Sequence, residues 1–114
     1  MGAWGEQPKQ NDSTGDLFDD VTAHAAYSVN KLFKKTKNVA TDDRWTRLGV
    51  LQKVVEGMPA IIGDLHDTLK YAAHVDIELV LEDERWIAEW RTPKKTVAAL
   101  KRFRARLERE LLKL

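Results

Sequence analysis

Residues 92–114, TPKKTVAALKRFRARLERELLKL, repeat an apolar side chain every three or four positions. That period indicates a helix with one buried face, since an α-helix makes one turn in about 3.6 residues. Thr92 can cap such a helix, and Pro93 suits its first turn because the amide that proline lacks has no partner there. The stretch therefore predicts a helix over residues 93–113.

Capping residues and apolar periods recur along the rest of the chain. Asp12 and Thr41 are candidate helix caps, and the apolar residues behind each of them are three or four positions apart. Pro59 and the acids at 82–84 mark two further helix starts. The helices predicted before the last one cover residues 12–37, 42–57, 60–81 and 83–91. The sequence leaves open whether the 60–81 helix is continuous past His74.

These elements together predict an all-α fold. No segment alternates apolar and polar side chains as a half-buried strand does, and no internal repeat is present. The length of 114 residues suits one hydrophobic core. We therefore expect a single helical domain over residues 1–114, a compact bundle of about four to five helices with an N-terminal arm or loop at residues 1–11.

The composition indicates the class of protein and the cellular compartment that it suits. The chain is 43% hydrophobic and 32% charged and has no cysteine, which suits a globular protein and excludes disulfides and thiolate metal sites. No apolar run approaches the roughly 18 residues of a spanning helix, and the first residues lack the features of a signal peptide. We expect a cytoplasmic protein with no membrane partner. Its net charge of +1 conceals blocks of alternating sign, which can pair inside a bundle.

The N-terminus carries a distinctive motif. It consists of Met1-Gly2-Ala3-Trp4-Gly5, Pro8, Asn11-Asp12 and Asp16-Leu17. In type and spacing these residues resemble the start of the bacterial domain-of-unknown-function family 4259. Gln7 and Lys9 stand where that family usually has a glycine and an aromatic residue. The resemblance implies a helical fold and no particular activity.

Catalytic and metal-binding motifs have little support. The serines lie in a capping cluster and inside a predicted helix, and a glycine-rich phosphate loop is missing. His66-Asp67, with His24 before it and Asp76 after it, offers the residue types of a helical metal-dependent hydrolase. An isolated His-Asp pair is, however, common by chance. We therefore expect a protein that is not an enzyme, without catalytic, cofactor-binding or metal-binding residues, and keep the hydrolase as the second alternative.

Surplus tryptophan favours a binding protein. Trp86 and Trp90 are four residues apart and so share a helix face, and tryptophan is among the residues that anchor protein interfaces. The predicted partner-binding residues are this pair and its charged neighbours: Trp86, Trp90, Arg91, Glu82, Asp83 and Glu84. The same two tryptophans can instead close the end of the bundle over the third helix.

We expect a small non-enzymatic protein that binds another protein, in the manner of an immunity factor, an antitoxin or an anti-defence inhibitor. The alternative is nucleic-acid binding through the basic last helix, whose lysines and arginines can neutralise phosphates. The residues predicted for that alternative are Lys101, Arg102, Arg106 and Arg109. The only aromatic residue among these bases is Phe103, which lies at core spacing and gives little support to base stacking.

Overall fold

The computed structural model describes residues 12–114, with side chains from Asp19 onward. The fold is all-α, and no described residue lies in a strand. The helices are α1 (Asp12–Leu32), α2 (Thr41–Gly57), α3 (His66–Tyr71), α4 (Ile77–Glu82), α5 (Glu84–Ala88) and α6 (Pro93–Leu112). None of the described helices is both long and apolar enough to cross a membrane. The arm predicted at residues 1–11 lies outside the described residues.

A continuous helical segment of changing pitch covers residues 59–82. It begins as a 3-10 helix, becomes α3, widens into a π-helical turn that contains His74, and returns to α-helical pitch in α4. The predicted third helix is therefore continuous past His74 but does not keep one pitch. The π turn carries Ala72 and Asp76 into the interior, where both are fully buried together with Ile77. Such turns are rare, and this one places an acid inside the core.

The first helix differs from its prediction in length and in its buried face. α1 ends at Leu32, whereas the prediction extended it to Lys37. Its buried face includes Val29, as predicted, and Phe33 just past its end. Val21 and Leu32, which the predicted apolar stripe also contained, are 52% and 45% exposed, so the stripe was wrong at these two positions. The early end of the helix has its reason in α2, which supplies hydrogen-bond donors to the carbonyls of residues 32, 35 and 36.

The hydrophobic core lies where α2, the segment of residues 59–82 and α6 meet. Its stripes on the two long helices follow the spacing of the sequence: Leu48, Leu51 and Val55 on α2, and Leu100, Phe103 and Leu107 on α6. The 3-10 helix and α3 contribute Ile61, Leu65 and Leu69, all with 0% exposure. Each fully buried aliphatic side chain of this size contributes about 1.5–3 kcal/mol of transfer free energy.

Three charged side chains lie inside this core. Arg44 and Arg47 of α2 are each 6% exposed, and Asp76 of the π turn is 0% exposed. Arg47 binds Asp76 in a bidentate manner, with Nε 2.7 Å from Oδ2 and Nη2 2.6 Å from Oδ1. Arg44 Nη1 donates to the same Oδ1. We call these three residues the buried ion triad; paired donors on a carboxylate are among the stronger hydrogen-bonding arrangements in proteins.

The triad has one more positive charge than negative, and the end of α1 offsets it. Arg47 Nη1 donates to the carbonyl oxygens of Leu32 at 3.1 Å and Lys35 at 2.8 Å. Arg44 Nη2 donates to the carbonyl oxygen of Thr36 at 3.2 Å. The C-terminus of a helix carries partial negative charge, so cations are favourable there. In a longer helix, backbone amides would donate to these carbonyl oxygens. Because the two arginines donate to them instead, α1 can end at Leu32.

Aromatic rings complete the surroundings of the two arginines. The guanidinium carbon of Arg47 lies 4.8 Å from the centroid of the Phe33 ring and 5.7 Å from that of Tyr71. Arg44 Nη1 also donates to the Tyr71 hydroxyl oxygen at 3.1 Å. Desolvation acts to lower the pKa of Arg44, but its hydrogen bonds to Tyr71 and Asp76 outweigh that effect and raise the pKa. Arg44 therefore stays charged in the core.

Two of the predicted helix caps act differently from the expectation. Thr41 is the first residue of α2, and its hydroxyl donates to Asp83 Oδ2 at 2.5 Å; Ala40 occupies the cap position without a side-chain bond. Thr92 does occupy the cap position of α6, but its side chain makes no capping bond. The side chain of Asp12 lies outside the described part of the chain. Thr41 thus links two helices instead of capping its own.

The triad predicts a large loss of stability when its carboxylate is neutralised. Asp76→Asn keeps the shape of the side chain but leaves two buried guanidinium groups without a counter-charge. Breaking a buried ion pair from one side costs about 3–5 kcal/mol. We expect a decrease of that size in the free energy of unfolding, measured by urea denaturation.

Asp67→Asn is the matched control, because the side chain of Asp67 is fully exposed. It is expected to change the free energy of unfolding by no more than about 0.5 kcal/mol. Equal effects of the two substitutions would contradict a stabilising role of the triad.

Candidate protein-interaction surface

Three tryptophans from α2 and the α5 region form one aromatic cluster. The ring centroids of Trp45 and Trp86 are 5.4 Å apart, those of Trp45 and Trp90 5.1 Å, and those of Trp86 and Trp90 5.4 Å. The ring planes of Trp86 and Trp90 are inclined by 64°, the edge-to-face geometry that aromatic rings favour, whereas the two pairs that include Trp45 are tilted, at 55° and 52°. Trp45 and Trp86 pack against the core, whereas Trp90 is 39% exposed. We call these residues the tryptophan cluster.

Both tryptophans of the predicted pair, Trp86 and Trp90, belong to the tryptophan cluster. α5 ends at Ala88, so Trp90 follows the helix instead of lying within a helix over residues 83–91. Both tryptophans contact Trp45, which the sequence placed on the buried stripe of α2. The pair therefore packs against Trp45 of α2, and its closure over the third helix stays a prediction. Periodicity gave no sign of this long-range contact.

Asp83, one of the predicted partner-binding acids, is engaged within the chain. It caps α5, with Oδ1 accepting from the Trp86 amide at 3.1 Å, while Oδ2 accepts from the Thr41 hydroxyl at 2.5 Å. The hydrogen bond from Thr41, followed by that from the Trp86 amide, lowers the pKa of Asp83. Asp83 thus fixes the position of α5 against the start of α2.

A second polar contact holds the tryptophan cluster in place. The indole Nε1 of Trp86 donates to Asp42 Oδ1 at 2.6 Å. Around this ordered centre, the other charged residues predicted to contact a partner are exposed: Glu82, Glu84 and Arg91. Some of the predicted partner-binding residues therefore hold the tryptophan cluster in place, and the others surround it in solvent.

A groove between α2 and α6 begins at the tryptophan cluster. Its first part is a cavity of about 120 Å³, lined by Trp45, Leu48 and Gly49 of α2 and by Leu100 and Phe103 of α6. We call this part the apolar end. Its lining is apolar because the same side chains that form the buried stripes of the two helices reach the floor of the groove.

The groove continues into a basic end. A second cavity, of about 240 Å³, shares Gln52 and Phe103 with the apolar end and is lined further by Arg102, Arg106 and Arg109. These arginines are four and three positions apart, so they form one stripe along α6. The two cavities share lining residues on both helices and so lie next to each other along α2 and α6; we call them together the α2–α6 groove.

The four bases predicted for nucleic-acid binding do not share one face. Arg102, Arg106 and Arg109 line the basic end, but Lys101 lines a separate pocket beside the π turn. Arg106 Nε also donates to Glu110 at 3.0 Å, and that hydrogen bond is the chief cause of the lowered pKa of Glu110. The continuous basic stripe therefore consists of three arginines.

Gly49 leaves open space in the wall that α2 forms at the apolar end. It lies in the middle of α2, is exposed, and has no atom within 4 Å of the position that a Cβ would take. Packing within the described residues therefore gives no reason for a glycine. Glycine inside a helix costs about 0.5–1 kcal/mol relative to alanine. The position thus lowers helix stability and leaves open space beside Trp45 and Leu48.

The residue types of the predicted hydrolase do not come together. His66 Nδ1 lies 3.3 Å from Asp67 Oδ1, and both residues border an open pocket of about 490 Å³. Asp76 instead binds the arginines of the triad. The part of the chain that the structure describes contains no group of three or more His, Asp or Glu residues able to hold a metal ion.

Comparisons of the chain with known protein families, curated proteins and solved structures found no match. The N-terminal motif lies mostly outside the described residues. The resemblance to family 4259 therefore stays a prediction, and the candidate surface is interpreted from its own geometry.

The lowered pKa of Asp83 predicts a pH-dependent contribution to stability. Because the folded pKa lies below the unfolded one, the contribution is complete above the unfolded value and is lost as pH falls through the folded value. Asp83→Asn removes the titration while keeping the shape. We expect this variant to be less stable than the wild type at neutral pH, and the gap to close in acid, measured by urea denaturation followed through tryptophan emission.

Glu84→Gln, a change at a neighbouring exposed carboxylate, is the control and is expected to show no such pH-dependent gap. A gap between Asp83→Asn and the wild type that persists unchanged in acid would contradict the role assigned to the ionised carboxylate.

The open space at Gly49 predicts that alanine stabilises the fold. Gly49→Ala removes the helix penalty and meets no neighbouring atom, so we expect the free energy of unfolding to rise by about 0.5–1 kcal/mol. Thermal or urea denaturation measures the change. A loss of stability instead would mean that the fold itself requires the glycine.

Proposed function

We propose that this chain is a small non-enzymatic protein that binds another protein, with the tryptophan cluster as its anchor. The observation that carries the proposal is Trp90, which is 39% exposed although it contacts two other indole rings. A tryptophan exposed at the edge of an ordered cluster offers a large apolar surface to a partner. Residues of this type dominate the binding energy of protein interfaces.

The rigidity of the cluster supports the proposal. Trp86 is held through its indole nitrogen by Asp42 and through its backbone amide by Asp83. Trp90 rests on Trp86 and on Trp45. An anchor that is ordered before binding loses little conformational entropy when a partner covers it. The exposed residues Glu82, Glu84 and Arg91 then form a polar border, as the rim of an interface requires.

The narrower role that we propose is that of an immunity factor, an antitoxin or an anti-defence inhibitor. Such a protein acts by covering part of its target, which needs a preformed surface and no chemistry of its own. The tryptophan cluster and the groove beside it supply a surface of this kind. A single buried anchor of this size is enough to dominate the affinity of a small interface.

A peptide selection tests the proposed surface directly. We expect a phage-displayed library of random peptides, panned on the purified full chain, to yield peptides that bind next to Trp90. Trp90→Ala should weaken their binding by about 30-fold, the effect of losing one interface residue worth about 2 kcal/mol. Fluorescence anisotropy of the labelled peptides measures the affinity.

Leu112→Ala is the control, because Leu112 is 88% exposed and lies at the far end of α6. It is expected to leave the affinity unchanged, and circular dichroism would show that both variants remain helical. Failure to select any peptide, or peptides indifferent to Trp90→Ala, would refute the proposed function.

A further inference from the structure

We propose that the α2–α6 groove recognises a segment of the partner that carries one bulky apolar side chain followed by carboxylates. The inference rests on the proposed function and specifies the chemistry of the partner. The apolar side chain occupies the apolar end beside Trp45, and the carboxylates lie along the arginines of the basic end.

The continuity of the groove sets the layout of the bound segment. The apolar end is lined by the first half of α2, and the basic end extends along α2 to Val55 and Glu56. On α6 the lining moves in the same sense, from Leu100 at the apolar end to Arg109 at the basic end. A single segment lying along both helices therefore meets an apolar site first and a basic site second.

The apolar end has the dimensions of a site for one side chain. Its volume of about 120 Å³ is far below that of a cavity for a small-molecule ligand, which is typically about 300–1,000 Å³. Leu48 and Leu100 form a buried floor, at 2% and 4% exposure. An aliphatic or aromatic side chain of the partner fits such a site and adds contacts with Trp45.

Gly49 provides independent support for an occupant. The fold gains no contact from a glycine at this position, and the helix loses stability through it. What the missing side chain provides is free access to the apolar end for an approaching backbone. The groove is therefore open at the point where an apolar anchor has to enter.

The positive charge of the basic end favours acidic side chains in the second part of the partner's segment. Arg102, Arg106 and Arg109 extend over eight residues of α6, or about 10 Å. Two acids stand against them: Glu56 in the lining, and Glu110, which accepts a hydrogen bond from Arg106 Nε. Arginine binds carboxylates through paired, geometrically matched hydrogen bonds. Acidic side chains of an adjacent segment, spaced to reach Arg102 and Arg109 at the two ends of the stripe, match its length.

Several features favour a peptide over a nucleic acid in this groove. Lys101 faces a different pocket, so the basic stripe is limited to three arginines. Phe103 lies among these arginines but is only 7% exposed, so it offers bases little of its ring to stack on. An apolar site at one end is, by contrast, what a protein segment with an anchor side chain requires.

The selection on the full chain also tests this inference. We expect the selected peptides to combine a bulky apolar residue with acids several positions away. Arg102→Glu with Arg109→Glu should weaken their binding by at least tenfold. The control is the single charge reversal Lys101→Glu, adjacent to Arg102 but in the other pocket, and it should leave the affinity within about twofold of the wild type.

A second variant tests the apolar end alone. Gly49→Leu places a side chain at the entrance without removing any existing contact, and leucine favours a helix. We expect peptide binding to fall by at least tenfold while the variant is at least as resistant to urea as the wild type. Unchanged binding to Gly49→Leu would overturn the assignment of the apolar end.

The outcomes separate this inference from the proposed function. Peptides that depend on Trp90 but tolerate the arginine substitutions would overturn the inference and leave the proposed function standing. Peptides indifferent to Trp90→Ala would refute both. Binding of a DNA or RNA oligonucleotide that falls steeply with salt and is lost in the arginine variant, without selection of acidic peptides, would overturn the inference in favour of nucleic acid.

Discussion

The buried ion triad is the interaction on which the rest of the structure depends. Asp76 draws two arginines of α2 into the interior, and the same arginines donate to carbonyls at the end of α1. One set of charges therefore fixes three parts of the chain relative to one another. The desolvation cost of such groups is offset only when all their donors and acceptors are satisfied, and this condition is met among the described residues. The position of α2 is thus determined more narrowly than apolar packing alone would determine it.

The position of α2 in turn determines the candidate surface. Thr41, Asp42 and Trp45, in the first turns of α2, supply the partners of Asp83, Trp86 and Trp90. Further along the same helix, Leu48 and Gly49 form one wall of the α2–α6 groove. α5 has only five residues and is too short to be stable alone. Its order comes from the contacts with α2, so the anchor surface is a product of tertiary structure.

Local patterns were sufficient for the fold class and for the stripes on α2 and α6. Leu48, Leu51, Leu100 and Leu107 follow a helical period, and burial of such a stripe is what holds helices together in a bundle. The end of α1 was missed because it is set by arginines that are distant in sequence. A usable sign did exist: Arg44 and Arg47 lie on the same face of α2 as its apolar stripe.

The candidate site was less predictable for a related reason. The sequence indicated Trp86 and Trp90 as a pair, since their spacing is local. Their contact with Trp45 joins residues more than forty positions apart, and nothing in a helical period reports such a contact. The groove arises in the same way, from the juxtaposition of two helices that are separated by the third segment. No role for Gly49 was evident from the sequence, because its meaning depends on the open space that surrounds it.

The unequal composition of the triad has a consequence for how this sequence can diverge. Loss of the Asp76 carboxylate leaves two buried arginines without a counter-charge. Loss of one arginine, by contrast, leaves the other arginine paired with Asp76. Substitutions at these positions therefore have to occur in a fixed order, in which an arginine is replaced before the aspartate. A lineage that has replaced all three residues with apolar ones would also need a new way to terminate its first helix. Variation at Arg44, Arg47 and Asp76 should thus be accompanied by variation in the length of α1.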